Sequence, residues 1–338
     1  MKKSLIALAV LAASGVASAQ STVTIYGLVD AYVGAVKSNN LRQTVMNSGG
    51  FNTSRFGFKG TEDLGGGLKA NFVLENGFNV DTGATPNSGP TNQSIFSGQS
   101  WVGLSGGFGE VRLGKMWTPF DEVKGSGAAA FDANIFAPAS NVWVSNNYND
   151  RPGNSIYYAT PNFSGFSAAA LYAFGENKTN AVGITPAQDA GKTASVNVQY
   201  ANGPIGVALS HQQEKANGNA VSTKYNQLNG SYDLGVAKIL AAYGNVKVSG
   251  DKTNEYQIGV DVPLGGALTV SGGVAASKTK FGAAATPESK STGFGLAAKY
   301  ELSKRTFLYT GLQAAKTKVA NSADVKTDTF AVGVQHKF

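Results

Sequence analysis

The chain reads as all-β, a 16-stranded antiparallel transmembrane β-barrel, on three observations. Residues 327–338 alternate apolar and polar side chains, with Phe330, Val332, Val334 and Phe338 on one face and Thr329, Gln335 and Lys337 on the other. This is the period-2 pattern of a strand that offers one face to lipid and one to water. Beyond residue 19 no apolar run approaches the roughly 20 residues of a membrane-spanning helix. A chain that enters a bilayer must then close into a barrel, the other structure that pairs every backbone group there. Finally, strand-like stretches are joined alternately by very short and much longer connections, as in outer-membrane barrels.

The N-terminus explains how such a chain reaches a membrane. Lys2 and Lys3 precede an apolar stretch from Leu5 to Val16 and the small residues Ala17-Ser18-Ala19, the layout of a secretory signal peptide. Residues 1–19 are therefore expected to be removed, leaving 20–338 as one barrel domain that begins at Gln20. Glycine at 43 residues and proline at 10, with no fixed glycine period, suit tight turns and closely packed strands rather than a collagen-like or disordered chain. The mean hydropathy of −0.11 does not argue against a membrane, because half of each barrel strand faces water.

Composition also removes whole classes of function. The chain has no cysteine, which excludes disulfides, zinc–thiolate sites and thiol nucleophiles. It carries 28 basic and 21 acidic residues; without Lys2 and Lys3 this becomes 26 against 21, a net +5. The basic residues are scattered singly, so nucleic acid is not an expected partner.

Seven short turns fall at 64–67, 106–109, 161–165, 201–204, 233–235, 263–266 and 302–305, each rich in Gly, Pro, Asn, Asp or Ser, the residues that turns select. Eight longer, polar connections fall roughly at 37–53, 79–95, 118–153, 176–192, 215–222, 249–253, 281–290 and 317–326. Together they join sixteen strands with both termini on the short-turn side. Alternation is clean at Val196, Val198 and Tyr200 against Ser195, Asn197 and Gln199, and at Tyr256, Ile258, Val260 and Val262 against Gln257, Gly259 and Asp261. It is ambiguous in phase over 306–317. Tyr26, Phe166, Tyr200, Tyr232, Tyr300 and Phe338 lie near strand ends, where interfacial aromatic girdles belong, although Tyr26 has the inward phase.

Several strings then carry a specific resemblance. They are Ser21-Thr-Val-Thr-Ile-Tyr-Gly-Leu-Val-Asp30, the run from Ser54-Arg-Phe-Gly-Phe-Lys-Gly to Leu68-Lys69, Val73-Leu-Glu-Asn-Gly-Phe78, Trp101-Val-Gly-Leu104, Leu113-Gly-Lys115, Asn154-Ser-Ile-Tyr-Tyr158 with Pro161-Asn-Phe-Ser-Gly165, and His336-Lys-Phe338. In order and spacing the chain resembles the general trimeric porins of Gram-negative outer membranes, most closely the β-proteobacterial branch. The resemblance implies a water-filled homotrimeric barrel in outer-membrane lipid that passes small hydrophilic solutes and ions. It also implies that the third long loop, Thr118 to Gly153, folds back into the lumen. Phe338 would then be the terminal aromatic that the barrel-assembly machinery recognises.

A pore of this kind filters by charge at its narrowest point, where fixed charges orient and screen ions. By motif, the resemblance places Arg55, Lys115 and Arg151 on the basic side and Glu75, Asp121 and Asp132 on the acidic side. Two departures weaken the positive field. Where relatives carry Asn-Arg-Gln, this chain has Ser97-Gly98-Gln99, and at 115 a lysine replaces arginine's rigid planar donor with a flexible point charge. A general diffusion porin with at most a modest anion preference is the expectation.

No enzyme and no cofactor are expected. His211 and His336 are the chain's two histidines; the first has the lipid-facing phase and the second lies at the C-terminus, so neither suits a catalytic base. No histidine pair or compact carboxylate set suggests a metal site.

Overall fold

The computed structural model describes residues 22–85, 94–175, 191–215, 221–283, 287–319 and 321–338. The expected leader, residues 1–19, lies outside them. Seventeen β segments run in chain order: β1 Thr22–Ser38, β2 Leu41–Ser48, β3 Arg55–Gly65, β4 Leu68–Gly77, β5 Gln99–Gly106, β6 Gly109–Lys115, β7 Ser155–Ala159, β8 Phe166–Ala173 and β9 Lys192–Asn202. There follow β10 Ile205–Lys215, β11 Ser222–Asp233, β12 Lys238–Val248, β13 Asp251–Pro263, β14 Leu268–Lys280, β15 Ser289–Glu301, β16 Thr306–Val319 and β17 Val325–Lys337. From β3 to β17 every segment pairs antiparallel with the next.

Closure runs through β1. One edge of β1 pairs with β17 from Leu28↔Lys337 to Ser38↔Thr327. The other edge pairs first with β3, Thr22↔Thr61 to Leu28↔Arg55, and then with β2, Ala31↔Ser48 to Ser38↔Leu41. β2 and β3 are thus two halves of one broken strand, and seventeen segments fill sixteen places in the ring. Phe338 completes the seam: its N–H donates to the Gly27 carbonyl at 3.1 Å and its own carbonyl accepts from Gly27 N–H at 3.2 Å. The first and last segments of the sheet thus pair with each other from residue 27 of β1 onward, which closes the ring.

The two faces separate as alternation requires. Val196, Val198, Tyr256, Ile258, Val274, Phe294, Leu312, Phe330, Val332 and Val334 are exposed on the outer face, whereas Ser195, Asn197, Gln227, Glu255, Gln257, Gln313 and Gln335 are buried on the inner one.

The seven short turns lie where the sequence places them. Among the described residues the long connections differ at two sites; residues 86–93, 176–190 and 216–220 of three other expected connections lie outside them. Residues 37–53 read as an open loop, yet β1 and β2 run on to a two-residue turn at Asn39-Asn40, with Asn39 at φ 53°; asparagine tolerates that left-handed backbone. Residues 249–253 likewise close at Ser249-Gly250, with φ 48° and 90°, the doubly positive geometry of a tight hairpin turn.

The break at 49–54 has a visible cause. Asp30 of β1 is wholly buried, and its carboxylate accepts the N–H groups of Gly50, Phe51 and Asn52 at 3.0, 3.1 and 2.9 Å and the Tyr309 hydroxyl at 2.5 Å. Ser54 Oγ accepts the Asp30 N–H at 2.9 Å and donates to the Asp30 carbonyl at 3.1 Å. The carboxylate thus takes the donors that the broken ladder releases, which leaves neighbouring carbonyls to find partners elsewhere. Replacing Asp30 by Asn removes acceptor capacity from a buried site, at a cost of about 1–3 kcal/mol. The Asp30→Asn barrel is expected to unfold at correspondingly lower denaturant; an unchanged midpoint would show that the carboxylate does not hold the break.

Candidate pore constriction

Residues 116–154, which join β6 to β7, begin with a short helix, α1, Pro119–Lys124. Thr118 caps it, its side chain accepting from Asp121 N–H at 3.3 Å, and Pro119 occupies the first turn, where no donor is lost. The buried ring of Phe120 packs between Tyr148 and Tyr225, with centroids 5.0 and 6.1 Å away.

The whole segment lies on the polar inner face of the barrel. Phe120 N–H donates to Ser195 Oγ at 3.0 Å and Ser145 N–H to Glu255 Oε1 at 3.0 Å. In return Asn197, Gln227, Gln257 and Ser277 donate to the carbonyls of Pro119, Lys124, Gly127 and Val142. At the far end Asn134 N–H and Ile135 N–H donate to the carbonyls of Phe51 and Gly50, both at 3.2 Å, and the Asn134 side chain donates to Gly49. These are the carbonyls freed by the break in the second strand. The approach is close enough to require glycine on the wall: a Cβ on Gly295 would stand 2.0 Å from the Phe136 carbonyl oxygen, and one on Gly259 would stand 2.2 Å from Ala129 Cβ.

A second anchor is Arg112 of β6. Its guanidinium lies over Trp101 and Tyr157, at 4.7 and 4.6 Å from the ring centres, and pairs with Glu110 at 2.6 Å and with Glu122 of α1 at 3.8 Å. The Tyr157 hydroxyl reaches both Glu122 oxygens, at 3.0 and 2.9 Å.

Between segment and wall lies a cavity of about 990 Å³, lined among others by Arg55, Glu75, Lys115, Asp121, Asp132 and Arg151. All six residues singled out in the sequence therefore come together. Lys124, Asp150, Trp117 and Tyr148 also line it and were not picked out. Arg55 Nε lies 3.5 Å from Glu75 Oε2, and the Tyr26 hydroxyl donates to the same oxygen at 3.0 Å, so these two charges, on neighbouring strands of one wall, are paired with each other. A Cβ on Gly98 would come within 2.7 Å of Glu75 Oε1; the missing arginine leaves room for this pairing. Arg151 stacks on Trp117 at 4.1 Å and pairs with Asp150 at 3.2 Å, and its carbonyl accepts from Lys115 Nζ at 2.8 Å.

Four lining cations, Arg55, Lys115, Lys124 and Arg151, thus face four lining acids, Glu75, Asp121, Asp132 and Asp150. The Asp121 carboxyl receives a hydrogen bond from the Tyr148 hydroxyl. Burial lifts its pKa to about 6, a rise that the Tyr148 bond and Lys124 partly offset and that Asp150 and Asp132 reinforce.

The comparisons agree with this architecture. Residues 5–337 match the Gram-negative porin family, and the chain belongs to it. Its relatives include outer membrane porin protein 32 of Delftia acidovorans, 40% identical over 99% of this chain and 95% of that one, and an outer membrane porin protein of Bordetella pertussis, 32% identical over the full length of both. Among solved structures, an anion-selective porin from Comamonas acidovorans superposes with a TM-score of 0.79 at 32% identity, over 94% of this chain and all of that one. The protein is a porin of the bacterial outer membrane.

Because Asp121 is charged above about pH 6 and neutral below it, acidification removes one negative charge from the cavity. The reversal potential under a salt gradient is expected to move toward anions between pH 7.5 and 5, and Asp121→Asn should abolish that movement. An unchanged pH response in the variant would assign it to other groups.

Proposed function

We propose that the cavity between residues 116–154 and the β3–β6 wall is the constriction of a general diffusion channel. In this reading it filters small hydrophilic solutes by a nearly balanced set of fixed charges and gives at most a modest anion preference. The observation that carries the reading is the equal number of lining cations and acids, with Arg55 and Arg151 already held by Glu75 and Asp150. The relative described as anion-selective supports the sign, and the lysine at 115 with the glycine at 98 supports the small size.

Pairing sharpens the test. Arg55→Gln leaves Glu75 uncompensated and should shift the reversal potential toward cations; Glu75→Gln frees Arg55 and should shift it toward anions. A unit charge some 8 Å from the ion path in water contributes about 0.5 kcal/mol, roughly a two-fold change in permeability ratio. Both shifts should shrink at high salt, as the screening length falls. Parental reversal potentials for both variants in dilute salt would place the filter elsewhere.

The working form in this proposal is a homotrimer, as the resemblance implies, and Phe338 is the residue by which the assembly machinery recognises the chain. Phe338 sits at the closing seam with its ring exposed and over Gly27, so its deletion also removes two closing hydrogen bonds. Heat-resistant trimer in the outer membrane should fall on deletion of Phe338 and be largely kept by Phe338→Tyr. Normal trimer after deletion would refute the assignment.

A further inference from the structure

Six of the eight charges that line the constriction are already engaged. Arg55 holds Glu75, Arg151 holds Asp150, Lys115 donates to the Arg151 carbonyl, and Asp121 accepts from the Tyr148 hydroxyl. Lys124 and Asp132 are the remainder. Among the described residues neither side chain makes an ion pair or a hydrogen bond; the Lys124 ammonium lies over the Tyr148 ring, 5.2 Å from its centre.

The same two residues line a second, smaller cavity of about 240 Å³, formed within residues 124–146 and floored by Gln227 of β11 and Gln257 of β13. Lys124 is the last residue of α1, and Asp132 closes a turn in which Ala130, Phe131 and Asp132 have φ 52°, 61° and 51°. Three successive non-glycine residues in the left-handed region are costly and persist where their surroundings over-determine them. Here Ala130 is fully buried, and the Phe131 ring lies 5.5 Å from that of Phe51. The turn brings the Asp132 carboxylate over Gly125, where a Cβ would meet its Oδ2 at 2.7 Å, and so close to Lys124. Desolvation raises the Asp132 pKa and the Lys124 charge opposes that rise, so the two groups share one field without touching.

The remaining polar lining consists of acceptors. Asn134 Nδ2 donates to the Gly49 carbonyl at 2.9 Å, and Asn146 Nδ2 donates to the carbonyls of Ala139 and Ser140 at 2.8 and 3.3 Å. These bonds fix both amides and leave their oxygens without a partner. The floor is held in the same way, since Gln227 and Gln257 donate to the Lys124 and Gly127 carbonyls at 3.3 and 3.1 Å. Alanine methyls and the Trp143 ring make up the apolar part of the wall.

A simple cation drawn to Asp132 meets Lys124, and a simple anion drawn to Lys124 meets Asp132. A molecule that carries both charges close together satisfies both. Its ammonium brings three donors for the carboxylate and the amide oxygens, and its carboxylate accepts from the lysine. The cavity is smaller than the roughly 300–1,000 Å³ of sites for drug-sized ligands, which restricts the occupant to a small solute.

We propose that this cavity is a binding site for a small zwitterion, an α-amino acid with a short side chain, held with its ammonium on Asp132 and its carboxylate on Lys124. The site deepens the diffusion-channel reading, on which it rests. Lys124, Asp132, Asn134 and Asn146 line both cavities, so a zwitterion held here stands at the edge of the constriction. One lysine and one carboxylate grip it loosely enough for release, as permeation requires.

The test uses folded full-length protein in detergent and L-alanine as the probe, with binding read by saturation-transfer difference NMR against a detergent blank. The parent should bind L-alanine about ten-fold or more tighter than lactate, which lacks the ammonium, or ethylamine, which lacks the carboxylate; this is the weight of one charge-assisted hydrogen bond. Lys124→Gln and Asp132→Asn should each weaken alanine by a similar factor and move the preference in opposite senses, the first toward ethylamine and the second toward lactate. Lys124→Arg, which keeps the charge, should retain alanine. Should a variant fail to fold, the three probes on the parent carry the comparison alone. Equal binding of the three probes, no binding of alanine, or variants that weaken all three probes alike would overturn the proposal. Conductance of the same preparation in planar bilayers separates the two readings: a parent that conducts and ignores alanine overturns the site alone, and one that neither conducts nor binds overturns both.

Discussion

The arrangement depends on one buried carboxylate. Asp30 gathers three backbone donors from residues 50–52 and the Tyr309 hydroxyl, and in doing so holds open a break in the second strand. A continuous strand would spend those donors, and the carbonyls beside them, on its neighbours. Because the break persists, the carbonyls of Gly49, Gly50 and Phe51 remain free to accept from Asn134 and Ile135. The wall therefore carries a backbone dock for residues 134–135 of the segment that joins β6 to β7. Ring closure, loop seat and cavity all meet within a few residues of Asp30.

The polarity of the two faces explains why the segment stays inside. Lipid requires the outer face to be apolar and every backbone group to be paired, which sends serine, asparagine and glutamine side chains inward. Those side chains need hydrogen-bond partners once water is thinned out, and the backbone of residues 116–154 supplies them from Pro119 to Ser145. Glycine at 259 and 295 lets the two backbones come close enough to use them. The charges left over, after Arg55 meets Glu75 and Arg151 meets Asp150, are few. In the proposed reading, a constriction with half of its lining charges spent on one another passes ions with little discrimination and still orients polar solutes.

Much of this was legible in the sequence. The short turns could be read because glycine, proline and asparagine act through local backbone geometry, and the inward phase of Arg55 and Glu75 because alternation is strictly local. The break was not legible: nothing near residues 49–54 announces that Asp30 and Tyr309, 279 residues apart, converge on it. Residues 41–48 looked like loop because their outward side chains are mixed in polarity, although they form β2. Arg112 was not singled out, since its sandwich draws on Trp101, Tyr157 and Glu122 from three other elements. Phase placed Arg55 and Glu75 on the same side of the wall; their mutual pairing depended on side-chain geometry and on the absence of a side chain at Gly98.

The central claim is that residues 116–154 sit against the inner wall in the folded barrel. The chain has no cysteine of its own, so a pair introduced at Val142 and Ala275, which share one buried cluster, reports on the seat without background. The account predicts that Val142→Cys with Ala275→Cys forms a disulfide in the folded protein and that the oxidised protein conducts as the parent does. Two free thiols that both react with a water-soluble alkylating reagent in the folded barrel would place the segment away from the wall and contradict it.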